Sequence, residues 1–209
     1  MVQNSSPKPR GRPRAYDPEV ALARATDAFW RSGFGATSLD DLAAATGMNR
    51  PSLYAAFGDK HALYATALAR YAEAGRQRLA GRLAGTRPLR EELAAAFAGA
   101  IALYTEGPAP RGCFAIGTAA VEAVDDPAIR DTLAGLLREL DAILAARFRA
   151  AREAGELPEG ASPEALGALA GATLHSLALR ARAGAPPEAL AALAEAAVAL
   201  LCGAPATSP

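Results

Sequence analysis

Apolar residues recur along this chain three and four positions apart, the spacing of helices with one buried face. After Asp17 and Pro18, which supply a cap and a first-turn proline, Leu22, Ala25 and Phe29 follow that rhythm until Gly33, so a first helix is predicted over 17–32. Ser38, with Asp41 three residues on, resembles a capping box with Asp in place of Glu. A short second helix is expected from Thr37 or Ser38 to just before Gly47, burying Leu39, Leu42 and Ala43. Asn49 is a good cap for a third, in which Pro51 falls in the tolerant first turn and Leu53 and Phe57 share the inner face before Gly58. Longer helical stretches follow at about 59–84, 88–106, 113–124, 127–155, 163–183 and 186–202. Pro88, Pro127, Pro163, Pro186 and Pro187 mark their starts, and Gly85, Gly107, Gly155, Gly184 and Gly203 several of their ends.

Composition strengthens this pattern. The 209 residues include 56 Ala against six Phe, five Tyr and one Trp, so the best helix former dominates and strand formers are scarce. The expected fold class is all-α, with a small N-terminal domain over 15–75, a larger helical domain over 76–203 and a tail at 204–209. The 22 basic and 22 acidic residues cancel, but residues 1–14 carry Lys8, Arg10, Arg12 and Arg14 with no acidic residue, which reads as a basic flexible arm. No apolar run has the roughly 18–20 residues of a membrane span, and the N-terminus lacks a secretory apolar segment, so no membrane partner and a cytoplasmic location are expected. Cys113 and Cys202 form no closely spaced pair. His61 and His175 stand in different parts of the chain, and there is no metal-ligand spacing, phosphate loop or nucleophile motif. An enzyme is not expected, nor a metal or other cofactor.

The segment from Ser38 to Phe57, SLDDLAAATGMNRPSLYAAF, has the spacing of a helix-turn-helix. Ala43 falls where the helices touch, Gly47 at the tight turn, and Leu53 beneath the second helix. On spacing alone an ordinary helical hairpin is the alternative. Gly33-Phe34, Thr37-Ser38, the Gly47 turn and Leu53-Tyr54-x-x-Phe57-x-x-Lys60-x-x-Leu63 together resemble the TetR/AcrR family of bacterial transcriptional regulators, over residues 15 to about 75. Beyond that the likeness is one of architecture only.

The resemblance implies that Asn49 to Phe57 is a recognition helix entering the major groove of a double-stranded DNA operator. Base contacts are expected from Asn49, Arg50, Pro51 and Ser52, with Arg50 able to fork onto a guanine and Pro51 to meet a thymine methyl. Phosphate contacts are expected from Thr37, Ser38, Tyr54 and Lys60. Ala55 and Ala56 stand where family members often carry larger side chains, so fewer base contacts follow. In the arm, Arg10-Gly11-Arg12-Pro13-Arg14 reproduces the Arg-Gly-Arg-Pro core of minor-groove AT-hook arms, and Arg10, Arg12 and Arg14 are the candidate contacts. A basic tail of unspecific affinity is equally compatible with these residues.

For the larger half the resemblance implies effector binding and dimerisation. Leu166, Ala170 and Leu177 lie on one apolar stripe, and Leu190, Ala194, Ala197, Val198 and Leu201 on another. Either these form a homodimer interface or they cover the chain's own core. Phe97, Ile101, Tyr104, Cys113, Phe114, Val121, Leu140, Leu144, Phe148 and His175 are either pocket lining or plain core. The implied function is a ligand-responsive regulator, a repressor released from a near-palindromic operator by a small apolar or amphipathic effector. Alternatives are an effector-independent architectural DNA-binding protein and a regulator sensing redox state through Cys113.

Overall fold

The computed structural model describes residues 16–107, 109–157 and 160–203, and all regular structure among them is helical. α1 (Pro18–Ala36) comes first, followed by two short helices, α2 (Leu39–Thr46) and α3 (Arg50–Phe57). Then follow α4 (Lys60–Arg82), α5 (Leu89–Tyr104), a π-helical turn (Ala115–Ala119) leading into α6 (Ala120–Glu122), α7 (Pro127–Glu153), α8 (Pro163–Arg182) and α9 (Pro187–Cys202). The arm with Arg10, Arg12 and Arg14 and the tail at 204–209 lie outside the described residues.

Most helices begin and end near the predicted prolines and glycines. Gly33 breaks the helical backbone with φ 80° and ψ 170°, yet a further turn continues to Ala36. The stretch at 113–124 is not the plain α-helix that was expected. Its first turn widens to π geometry, where the Thr118 hydroxyl donates to the Phe114 carbonyl and the Arg182 guanidinium of α8 lies beside Gly117.

Two buried clusters divide the interior, and α4 belongs to both. One joins α1–α4 to Phe114, Ala115, Ala119, Ala123 and Ile129. The other joins α5, α7, α8 and α9 to Leu79 and Leu83 from the far end of α4. A boundary at 75/76 therefore falls inside a continuous helix. α7 and α8 cross closely because Gly167 and Gly171 present no side chain there. A Cβ at Gly167 would stand 2.8 Å from the Ala145 backbone nitrogen.

The apolar stripes of α8 and α9 face inward, which corrects their expected role as a partner surface. Ala170, Leu177, Leu190, Ala194, Val198 and Leu201 are buried in the chain's own core, and Leu166 and Ala197 pack partly against it. Leucines of these stripes are simply the side chains that fill the space against α5 and α7.

A buried ion pair, with no counterpart in the apolar pattern, ties the α4–α5 connection to α7. Arg147 Nε donates to Glu92 at 2.7 Å, and Glu92 also accepts backbone N–H groups from Gly85, Thr86 and Arg87 at 3.1, 2.9 and 3.2 Å. Arg147 further donates to the Arg87 carbonyl at 3.0 Å and to Glu156 at 3.4 Å. Burial acts to raise the Glu92 pKa, but the guanidinium and the three N–H groups outweigh it and hold the group below its ordinary 4.5. Glu92→Ala leaves the buried guanidinium only the longer 3.4 Å contact to Glu156 as charge partner and should cost about 3–5 kcal/mol, read as a lowered urea midpoint. Since the folded pKa is the depressed one, the stabilisation is complete above about pH 4.5 and fades as pH falls through the folded value. The stability gap between the parent and Glu92→Gln should accordingly close on acidification.

Candidate nucleic-acid interface and cavity

The helix-turn-helix is built by its caps. Ser38 opens α2: its Oγ accepts the Asp41 N–H at 3.1 Å while the Asp41 carboxylate accepts the Ser38 N–H at 2.8 Å and its hydroxyl at 2.7 Å. The hydroxyl and then the N–H lower the Asp41 pKa. Gly47 closes α2 in the left-handed region, φ 70° and ψ 17°, a conformation that costs a glycine nothing and any Cβ-bearing residue strain. Thr46, buried, braces the turn by donating to the Leu42 carbonyl at 2.7 Å and accepting the Met48 N–H at 3.3 Å. Asn49 caps α3, accepting the Ser52 N–H at 2.9 Å. Leu42, Met48 and Leu53 are buried beneath the turn; Leu39, Ala43 and Phe57 are only half-buried.

The outer face of α3 carries the predicted reading residues. Asn49, Arg50, Pro51 and Tyr54 are exposed and Ser52 half-exposed. Arg50 is not free in this state: its Nε and Nη2 fork onto Asp40 of α2 at 2.9 and 2.6 Å. Lys60 stands with its ammonium 4.3 Å from the centre of the Phe34 ring. Ser38 is exposed at the N-terminus of α2, but Thr37 is corrected as a phosphate contact. It is buried, and its hydroxyl donates inward to the Gly33 carbonyl at 2.6 Å.

Behind this unit an aromatic cluster links it to the larger half. Phe114 contacts Trp30, Tyr64 and Tyr71 at ring separations of 5.7, 5.8 and 5.5 Å, and Phe29 and Phe34 flank Tyr64 at 5.2 and 5.0 Å. Its polar atoms are matched. Tyr64 shares a hydrogen bond with Thr118 at 2.8 Å, and burial, against that bond, raises its pKa to about 12. Trp30 donates to the Arg111 carbonyl at 3.2 Å, and Arg182 of α8 donates to the same carbonyl at 3.1 Å and to that of Trp30 at 3.3 Å. On the outer side His61 pairs with Asp126, the cap of α7, whose pKa is lowered first by the Ile129 N–H and then by His61.

Next to this cluster α4, α5, α7 and α8 line an open cleft of about 110 Å³. Of the candidate pocket residues, Tyr104, Cys113, Leu140 and His175 line it. The other predicted lining residues do not. Phe97, Ile101, Leu144 and Phe148 are core packing, Phe114 is the centre of the aromatic joint, and Val121 is 69% exposed on α6. The wall that was missed is α4, which contributes Tyr71, Gly75, Arg78, Leu79 and Arg82. Its one signal was length, since the helix runs well past the helix-turn-helix.

Two family models match this chain: "Bacterial regulatory proteins, tetR family" over residues 21–67, and "Tetracyclin repressor-like, C-terminal domain" over residues 90–197. A solved regulator, CifR, carrying cysteine substitutions and complexed with 26-base-pair double-strand operator DNA, is 34% identical with a TM-score of 0.83, over 90% of this chain and 98% of that one. This chain belongs to the TetR family. Curated relatives include the HTH-type transcriptional repressors ComR and BdcR of Escherichia coli (strain K12). They are 36% and 34% identical over 60% and 56% of this chain, and the matched stretch spans about 60% of each relative's length.

This TetR-family chain leaves one apolar face of its last two helices open. Leu169 and Leu179 on α8 are 58% and 54% exposed and Leu200 on α9 is 84% exposed. Ala165, Ala168, Ala172, Ala189, Ala192 and Ala196 are exposed along the same helices.

Phe114 is fully buried between the two halves, so Phe114→Ala should destabilise the fold by about 3–5 kcal/mol. Urea unfolding of the parent followed by Trp30 fluorescence and by helical circular dichroism should give coincident transitions. In the variant the Trp30 signal should move to lower urea first.

Proposed function

We propose that this chain is a DNA-binding transcriptional repressor that acts as a homodimer and leaves its operator when a small molecule occupies the cleft. The observation that carries it is the outer face of α3, where Asn49, Arg50, Ser52 and Tyr54 stand clear of a helix anchored by Leu53. The likeness to a regulator solved on operator DNA supports the same role for this face. In the groove Arg50 exchanges part of its fork on Asp40 for a guanine edge, with Asp40 left behind it as a buttress. Ser38, Tyr54 and Lys60 hold phosphates on either side. Arg10, Arg12 and Arg14 extend the contact into a minor groove.

The dimer surface is the open face with Leu169, Leu179 and Leu200, in place of the inward stripes. Pairing of two α8–α9 faces sets the separation of two recognition helices, and half-sites one helical turn apart, roughly 34 Å or a multiple, follow from it. A ligand acts through α4, which carries the cleft wall at one end and meets α3 through Gly58 at the other. Tyr71 lines the cleft and touches both Trp30 and Phe114, so its displacement disturbs the aromatic joint. A ligand preferring the DNA-incompetent spacing by about 1–3 kcal/mol weakens DNA binding some 5- to 150-fold.

A second reading, with Cys113 as the sensor, is favoured by the position of its sulfur in the cleft wall, where it accepts the Tyr71 hydroxyl at 3.3 Å. Cys113→Ser separates the two, because an effector held non-covalently still releases DNA from that variant. An effector-independent architectural role leaves the cleft without a use.

Selection from a random duplex pool should return a near-palindrome. Arg50→Ala should weaken that site roughly ten- to a hundredfold and relax one base position, while Lys60→Ala should weaken all duplexes alike and lower the salt slope by about one. Equal affinity of the parent for every duplex would refute the proposal. Sedimentation of Leu200→Glu should show a monomer with unchanged helicity and lost operator binding, whereas a parent that sediments as a monomer at micromolar concentration refutes the dimer.

A further inference from the structure

The cleft is not chemically uniform. Arg76, Arg78 and Arg82 all project from α4 to line it, against a single lining carboxylate, Glu139. Arg76 is already matched, forking onto Glu73 with Nε at 2.9 Å and Nη2 at 2.6 Å, and Glu139 adds to the negative field around it. Arg78 and Arg82, four residues apart on one helix face, take part in no ion pair among the described residues. The Arg82 guanidinium lies against α5 at Gly99.

Tyr104 adds an independent observation. It is only 8% exposed and lines the cleft, and its hydroxyl, which makes no hydrogen bond among the described residues, is not sealed from solvent. Burial raises its pKa, Cys113 adds to the rise, and the nearby Arg78 charge opposes both, so it stays a neutral donor. Neighbouring groups do not compete for an anion. Tyr71 donates to Cys113, and burial holds the His175 pKa below 6.5 in spite of Asp141, leaving that ring neutral at pH 7. Two unpaired guanidinium groups and one unspent phenol thus stand beside a wall of Leu136, Leu140 and Ile143.

We propose that the cleft takes an amphipathic anion, its carboxylate held by Arg78, Arg82 and the Tyr104 hydroxyl and its hydrocarbon tail laid against Leu136, Leu140 and Ile143. This rests on the cleft being the effector site. A carboxylate supplies acceptors to all three donors at once, and a guanidinium is matched to it in shape. A neutral alcohol of the same length leaves both charges unmet, and an alkyl amine meets them with like charge.

The test is calorimetric titration of the full-length protein with octanoate, 1-octanol and octylamine. Octanoate should bind at least about tenfold more tightly than 1-octanol, and octylamine more weakly still. Arg78→Gln and Arg82→Gln should each cut octanoate affinity by about tenfold and leave 1-octanol unchanged, and Tyr104→Phe should cut it several-fold with an unaltered melting curve. Equal affinity for octanoate and 1-octanol, absence of octanoate binding, or parallel loss of both ligands in the arginine variants would overturn the assignment. Operator release is measured separately on the selected duplex. Octanoate that binds as described without releasing DNA refutes the regulatory reading and leaves the headgroup site standing; release by 1-octanol and not by octanoate does the reverse.

Discussion

One packing constraint governs this molecule: α4 has to sit in two hydrophobic cores at once. At its N-terminal half Leu63, Tyr64, Ala67 and Leu68 close the core of the helix-turn-helix, and Leu79 near its other end belongs to the core of the larger half. Within the first of these cores, the space between the helix-turn-helix and the larger half is filled by rings. Six of the chain's 12 Phe, Tyr and Trp residues, namely Phe29, Trp30, Phe34, Tyr64, Tyr71 and Phe114, meet there. Alanine-rich helices present too little side-chain volume to span such a gap, and large flat side chains in edge-to-face contact do so with defined geometry.

Polar groups at the joint reinforce the same coupling. The Arg111 carbonyl accepts both the Trp30 indole of α1 and the Arg182 guanidinium of α8, so the loop before the π turn holds the reading unit to a helix of the open apolar face. Arg111 in turn stacks 4.6 Å over the Trp30 ring and pairs with Asp27 at 2.6 Å. Deeper in the larger half, Glu92 and Arg147 fix the α4–α5 connection against α7, which keeps the far end of α4 in place. The cleft lies between these two anchors, and its α4 wall is the stretch that neither anchor holds directly.

The helix-turn-helix was legible in the sequence nearly residue by residue. Ser38 with Asp41, the Gly47 turn, Asn49 as a cap and Leu53 as an anchor all act over four residues or fewer, and each is in place. What those signals left out are two side-chain contacts: Thr37 turns inward to the Gly33 carbonyl, and Arg50 forks onto Asp40 of α2. In the larger half the errors were systematic. Phe97, Leu144 and Phe148 were grouped with Tyr104 and Leu140 because all are apolar at helical spacing, yet only the latter two border empty space.

The class of fold, most helix starts and the helix-turn-helix follow from the chain alone, because alanine content, prolines and caps act locally on the backbone and need no partner. Which face of each larger helix lies inside is set by its packing partners. α8 and α9 carry Leu and Ala around most of their circumference, so periodicity does not tell Leu190 and Leu201, which are buried, from Leu200, which is not. The cleft has the same origin. Its arginines and its phenol come from the consecutive helices α4 and α5 and its apolar wall from α7, and whether a side chain borders a void or a neighbour is set by how those helices meet.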